Sequence, residues 1–477
     1  MLLYIQIHIG GNSVSTRDYF IGDRKFYKTA LAIAIPLAIQ EIITNIVSLL
    51  DNVMVGRLGT LEMSAVAIIN QLFFIVNLSI FGALSAAGLF AAQYVGAKNE
   101  NGIRHCFRIK VIMGLLILLL TFLVLGLFPS QLINLYIADD TLPADAAATI
   151  GYGLKYVYIM LIGYIPFTVS RIYGMSLRET GEARMPMISS LIAIATNLLL
   201  NYILIFGKLG FTALGVAGAA IATVISRFVE AILLVVYTHA SSDRFAFIKN
   251  VYKSLSAPKP LWRDVIRKGV PLLANEFLWS LGIACYLQAY SSRGLEVVAA
   301  ANIASTLNSI FNTTSIAMGI TISVLVGQRL GANDREGAKM TAWRLIALGF
   351  CFCILLGLIL ASLSGVIPKM YKVEPEVKEL ASHFLIAIAV SLPFQLFSNG
   401  CYFTLRSGGK TLITFFLDSG FMWLISVPIA YTLSNYTAIS ITAIYLIVQN
   451  LDAIKSVIGT VLIRRGKWIS NIIEEKE

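Results

Sequence analysis

Twelve runs of apolar residues, each long enough to cross a bilayer, leave a chain of 477 residues little room for anything else. They fall at about 29–55, 64–95, 107–128, 146–171, 185–207 and 213–237, then at 265–291, 297–327, 340–366, 377–404, 411–433 and 437–462. A helix needs about 20 apolar residues to span hydrocarbon. Lipid cannot satisfy backbone N–H and C=O groups, so runs of this kind must be helical. Charged residues make up only 13% of the chain, and the mean hydropathy is +0.78. A soluble domain carries roughly twice that charge. The predicted fold class is an all-α polytopic membrane protein with twelve transmembrane helices, its partner the lipid bilayer.

The chain is also written twice. Residues 36–104 laid on 271–339 without a gap bring together Pro36 with Pro271, Glu41 with Glu276, Asn77 with Asn312, Gln93 with Gln328, Gly96 with Gly331, Ala97 with Ala332 and Gly102 with Gly337. Each half has six spans, so both copies share one orientation. The expected architecture is two six-helix lobes related by pseudo-two-fold symmetry, a parallel repeat about the membrane normal. The boundaries read as an N-terminal tail over 1–28, an N-lobe over 29–237, a basic linker over 238–264, a C-lobe over 265–463 and a C-terminal tail over 464–477. Most of the 37 Lys and Arg residues fall in alternate short loops, which places both termini in the cytoplasm and the protein in the inner membrane. A net charge of +11 distributed this way sets orientation and does not imply a nucleic-acid partner. The linker's mixture of basic and aromatic residues suits either a stretch lying on the leaflet or a solvated connection. The opening MLLYIQIHIGG is a poor signal peptide and reads as a disordered or interfacial tail.

Five cysteines and four histidines lack metal-ligand spacing, and no HExxH or GxSxG motif is present. No metal site, no cofactor and no enzyme activity are expected. The chemistry lies in polar residues within spans, where they are costly and face a cavity or a partner. In span 1, Glu41, Asn45, Ser48 and Asn52 share one helical face, widened by Gln40, Thr44 and Asp51. Pro36 is expected to bend that helix. Span 5 carries Asn197 and Asn201, four apart; span 7 carries Glu276 and span 11 Asp418. Such oxygens suit a small hard cation, and a desolvated carboxylate also suits a proton. The Asn and Ser stripes serve equally as interhelical hydrogen bonds. Arg227 with Glu230, and Asp452 with Lys455, are spaced to neutralise each other.

These residues resemble a family. P-x4-E, DNVMVGRLG, AAQYVGAKN, LRETGEARMP, NLLLNYILIFGKLGF and ALGVAGAAIATVISR, followed by VGQRLGAND, LRSGGKT and LDSGFMW, are similar in order and spacing to the multidrug and toxic compound extrusion (MATE) transporters over about 25–465. The resemblance implies an antiporter that exports bulky amphiphilic, often cationic, small molecules against inward Na+ or H+. It implies ion coupling at Asp51, Asn197, Asn201, Thr223 and Glu276, with transient Na+ at Asp51 and Asn197. Asn201 stands where some members have a second aspartate. Gln395 stands where another branch has one, so neither known coupling site is copied whole.

Gln40, Glu41, Gln395 and Asp418 are the expected substrate-cavity residues, with Phe73, Phe74 and Trp279 as candidate aromatic surface for cations. Nothing in the sequence demands a partner subunit, so a monomer is expected. The rival reading is a flippase for a lipid-linked oligosaccharide or other lipid carrier, which rests on Lys155, Arg171 and Arg227.

Overall fold

The structure, a computed structural model, describes residues 6–9, 12–15, 19–137, 142–371 and 373–474. Twelve helices are long and apolar enough to cross a membrane. We number them α1 (Arg24–Gly56), α2 (Thr60–Gly96), α3 (Glu100–Leu127), α4 (Pro143–Glu179), α5 (Arg184–Phe206), α6 (Val216–Ala240), α7 (Lys259–Ser291), α8 (Leu295–Gly331), α9 (Arg335–Leu363), α10 (Pro375–Ser407), α11 (Thr411–Tyr436) and α12 (Ile441–Arg464). On α3, Leu115, Leu116, Leu119 and Leu120 lie on one face and are more than half exposed. Water would penalise that stripe, whereas hydrocarbon solvates it.

Several expectations are corrected. The N-terminal segment contains a small antiparallel hairpin, β1 (Gln6–Ile9) with β2 (Asn12–Ser15), where a disordered or interfacial tail was expected; residues 1–5, 10–11 and 16–18 lie outside the described set. Helix α1 starts five residues before its apolar run, because the Asp23 carboxylate caps the Phe26 N–H at 2.7 Å. Pro36 lies inside this helix. Helix α4 extends eight residues past its apolar run to Glu179. Helix α11 widens into two π-helical turns, Phe416–Gly420 and Met422–Ser426, and α12 is interrupted between Gln449 and Asp452. In the C-terminal segment Trp468 is 1% exposed, and the Ile472 N–H donates to Gln93 Oε1 at 2.9 Å.

The linker is anchored at four apolar side chains, while residues such as Asp243 and Lys249 are exposed. Phe245, Phe247, Ile248 and Val251 are buried. Two arginines of α3 hold its backbone carbonyls: Arg104 donates to Ala246 and Phe247, and Arg108 to Asn250, Val251 and Ser256, over 2.9–3.3 Å. Each guanidinium has five donors in a rigid fork, so two side chains fasten a stretch that has little regular structure of its own.

The chain divides into two compact units. The first comprises Ile39–Ala91 and Glu100–Gly269; the second comprises the chain up to Ala38, Ala92–Asn99 and Val270 onward. The repeat is visible in the backbone. After α2, Lys98 adopts φ 56°; after α8, the equivalent Asn333 adopts φ 58°. Asn99 N–H bonds Tyr94 O and Asp334 N–H bonds Arg329 O, both at 2.9 Å. This is one helix-ending motif made twice, with a left-handed residue closing the turn.

Within the second unit the two copies interlock. A Cβ on Gly96 would lie 1.8 Å from Gln328 O, and one on Gly331 would lie 1.8 Å from Gln93 O. Both neighbours are backbone and cannot give way, so the duplicated glycine is required for the helix ends to meet. Gly331→Ala should destabilise the protein by about 1–3 kcal/mol, read as a lowered melting temperature in detergent. Gly174→Ala, where an added Cβ meets nothing within 4 Å, should leave it unchanged.

Candidate functional site

In the first unit, three helices deliver four polar side chains to one place. The Asn201 amide donates to Asp51 Oδ1 at 2.7 Å and to Asn197 Oδ1 at 3.1 Å. Asn197 in turn donates to Thr223 Oγ1 at 3.2 Å, and the Thr223 hydroxyl donates to Ala219 O at 3.0 Å. The spacing of Asn197 and Asn201 explains half of this: four residues on a helix place two amides on one face of α5. The other half is tertiary, with Asp51 arriving from α1 and Thr223 from α6. Asn197 is 6% and Asn201 2% exposed. Asn201 Oδ1 is buried without a hydrogen-bond partner, a costly state for an amide oxygen. A carboxylate beside three neutral oxygens, one of them unsatisfied, is a donor set suited to a small hard cation or to a proton on Asp51.

Nearby aromatics pack on the same unit. Phe73 is buried with its ring stacked on Tyr164 at 4.4 Å, so it is a packing residue, whereas Phe74 is exposed. Gln40 is also buried, and its Oε1 accepts from Arg178 Nη2 at 2.9 Å. Glu41 is half-buried. Sequence reasoning missed Arg178 altogether, together with the neighbouring ion pair of Lys110 with Glu179, which is buried and joined by Ser176 Oγ. The expected pair of Arg227 with Glu230 makes no direct ion-pair contact among the described residues, although Glu230 is the foremost charge acting on Arg227. The Arg227 guanidinium instead lies 4.1 Å from the Phe167 ring centroid, drawn to the aromatic face.

In the second unit Asp418 is not a free acid. Lys455 donates to it at 2.9 Å and to Asp452 at 2.9 Å. Asp452 and Lys455 thus pair as their spacing implied, and the lysine also neutralises α11. Asn275 donates to Asp418 Oδ2 at 3.1 Å, and its own oxygen accepts from the Ser419 hydroxyl at 2.8 Å. The π-helical turn of α11 carries Asp418 and Ser419, a feature often found at working sites. Glu276 is adjacent in sequence to Asn275 but joins no hydrogen bond or ion pair among the described residues; Arg406 and Asp418 are the charges acting on it. Gln395 donates to Ser391 Oγ at 3.2 Å within α10, and Trp279 is half-buried. The structure therefore gathers Asp51, Asn197, Asn201 and Thr223 by direct hydrogen bonds, and it brings Glu276 into no such contact among the described residues. Gln40 and Gln395 each satisfy a local hydrogen bond.

The MatE family model matches residues 36–203 and 271–432. The chain is 24% identical to a protein of Thermotoga maritima described as a probable multidrug resistance protein NorM, over 94% of this chain and 95% of that one. It is 27% identical to the probable multidrug resistance protein YoeA of Bacillus subtilis, over 86% and 88% of the two chains. Among solved structures, MATE in complex with MaL6 superposes with a TM-score of 0.84 at 17% identity, covering 95% of this chain and 98% of the other. An outward-facing multidrug resistance MATE family transporter of the MOP superfamily gives 0.82 at 17% identity, covering 96% and 99%.

Proposed function

The chain belongs to the MatE family of membrane transporters and is not an enzyme, and from that premise we propose that it exports bulky amphiphilic, positively charged small molecules in exchange for an inward cation. The observation that carries the coupling is the chain Thr223–Asn197–Asn201–Asp51, in which one carboxylate is held by buried amides from a neighbouring helix. The two relatives described above are each named a probable multidrug resistance protein, which supports the substrate class.

Binding of Na+ or H+ at Asp51 neutralises it. Half a turn of the Asn201 amide would then direct its unsatisfied oxygen to the ion. Asn197 and Thr223 complete the oxygen set, and no resident cofactor is required. Removing the negative charge weakens the hold on a cationic substrate and favours release to the outside, with the cavity alternating its access. Glu276 is the matching acid of the second unit, and Glu41 is the partly exposed acid of the first. Gln40, Gln395 and Asp418 act on the substrate cavity through the groups they hold. The protein works as a monomer in the inner membrane with both termini in the cytoplasm.

The test is export of a fluorescent lipophilic cation from proteoliposomes, with a Na+ gradient and a pH gradient imposed separately. Export driven by either gradient is the expected result and names the ion. No response to either, in correctly oriented protein, would overturn the antiport.

A further inference from the structure

Among the described residues, two arginines inside the first unit have no hydrogen-bond acceptor, although the Glu230 carboxylate acts on Arg227 from one turn along α6. Arg227 lies near the middle of α6, the twelfth of its 25 residues. Arg171 lies eight residues from the end of α4, roughly 12 Å along the axis. Both guanidiniums sit on the same ring: Arg227 is 4.1 Å and Arg171 4.8 Å from the centroid of Phe167, which is itself 3% exposed. Among the described residues neither forms a hydrogen bond or an ion pair, although both are within α-helices that cross the membrane. A guanidinium stacked on an aromatic face keeps its in-plane N–H groups free. Ten such donors cannot face hydrocarbon, so they face a water-filled cavity or a ligand.

Both side chains are partly exposed, which gives a ligand a way to reach them. Arg178, on the same helix as Arg171, is spoken for by Gln40, and Lys110 by Glu179. Lys155, also on α4, is exposed and stands apart from that ring, so what sets Arg171 and Arg227 apart is that both guanidiniums sit on one buried aromatic face. Planar forks of this kind match the two oxygens of a carboxylate or phosphate.

The geometry points to an anion subsite: Arg171 and Arg227, mounted on Phe167, receive an acidic group of the exported amphiphile, so that zwitterionic molecules are preferred over simple cations. This rests on the export reading and specifies its substrate class. The positive end of such a molecule retains the attraction of acids such as Glu41, while its acid meets the arginines.

The experiment uses one chromophore in two forms, a rhodamine with a free carboxylate and its ethyl ester, binding to purified full-length protein in nanodiscs of zwitterionic lipid. Wild type should prefer the carboxylate form by about tenfold, the value of one charge-assisted contact. Arg227→Gln and Arg171→Gln should each bring that ratio toward one, and Arg227→Lys, which keeps the charge, should retain part of it. Equal binding of the two dyes by wild type, or a ratio unchanged in both glutamine variants, would overturn the subsite while leaving export intact. Binding of neither dye would overturn the export reading beneath it. Repeating the comparison with phosphatidylglycerol in the nanodisc separates exported molecule from lipid. A retained preference supports an acid on the exported molecule, and a preference erased by the anionic lipid overturns it.

Discussion

Asp51→Asn abolishes gradient-driven export and leaves a folded protein. The substitution keeps the shape of the side chain and an oxygen for the Asn201 amide, which now donates at 2.7 Å to Asp51 Oδ1. What it removes is the charge that a cation must neutralise. One elementary charge moving through 100 mV supplies about 2.3 kcal/mol, equivalent to about a 50-fold bias in accumulation. With no charge change at residue 51, that bias has nothing to act through. Initial rates of dye export under an imposed gradient should fall to the level of empty liposomes. Equilibrium dye binding should persist, because the helices that carry the substrate surface are untouched. Full gradient-driven export by Asp51→Asn would remove Asp51 from the coupling. Asn201→Asp gives the complementary result. A second carboxylate beside the first raises the cation affinity of the cluster, so the variant should be driven at lower external cation than wild type.

The parts of this cluster differed in how readable they were. The i, i+4 spacing of Asn197 and Asn201 marked one face of α5, and the polar strip on α1 marked Asp51, because intramembrane polar residues are scarce enough to stand out. The duplicated QxxG and the residues around it announced two copies, and the repeated left-handed turns at Lys98 and Asn333 are that duplication in backbone form. The buried network of Arg178, Glu179 and Lys110 was not readable. Arg178 and Glu179 lie beyond the last apolar residue of their run, where charge ordinarily signals a loop, yet α4 continues through them because partners on other helices satisfy them. The docked linker escaped for a different reason: Arg104 and Arg108 hold backbone carbonyls, which every residue type supplies equally. Arg227 was assigned to Glu230 by spacing alone, which gave no sign of the Phe167 ring beside the guanidinium.

Lys110 and Glu179 should show the largest stability effect of any charged pair in the chain. The lysine side chain is 0% and the glutamate 9% exposed, and Ser176 Oγ takes a further lysine donor at 3.1 Å. Helix α2 also closes on this pair, since a Cβ on Gly88 would come within 2.5 Å of the glutamate oxygen. Lys110→Met removes the nearest countercharge from that buried carboxylate, which keeps the more distant influence of Arg178. Breaking one side of a buried pair costs about 3–5 kcal/mol, a large share of the stability of a typical protein. The variant should melt well below wild type in detergent, or fail to accumulate. Replacing both partners, Lys110→Met with Glu179→Gln, removes the stranded charge along with the attraction and should recover most of the loss, because the cost lies in isolating one ion and not in lacking the pair. If the double variant were as unstable as the single one, the lysine would be acting through its packed methylene chain. The exposed pair of Lys249 with Asp243 on the linker, solvated on both sides, provides the contrast. Lys249→Met should shift the melting temperature little, since water and salt screen such pairs to under about 1 kcal/mol.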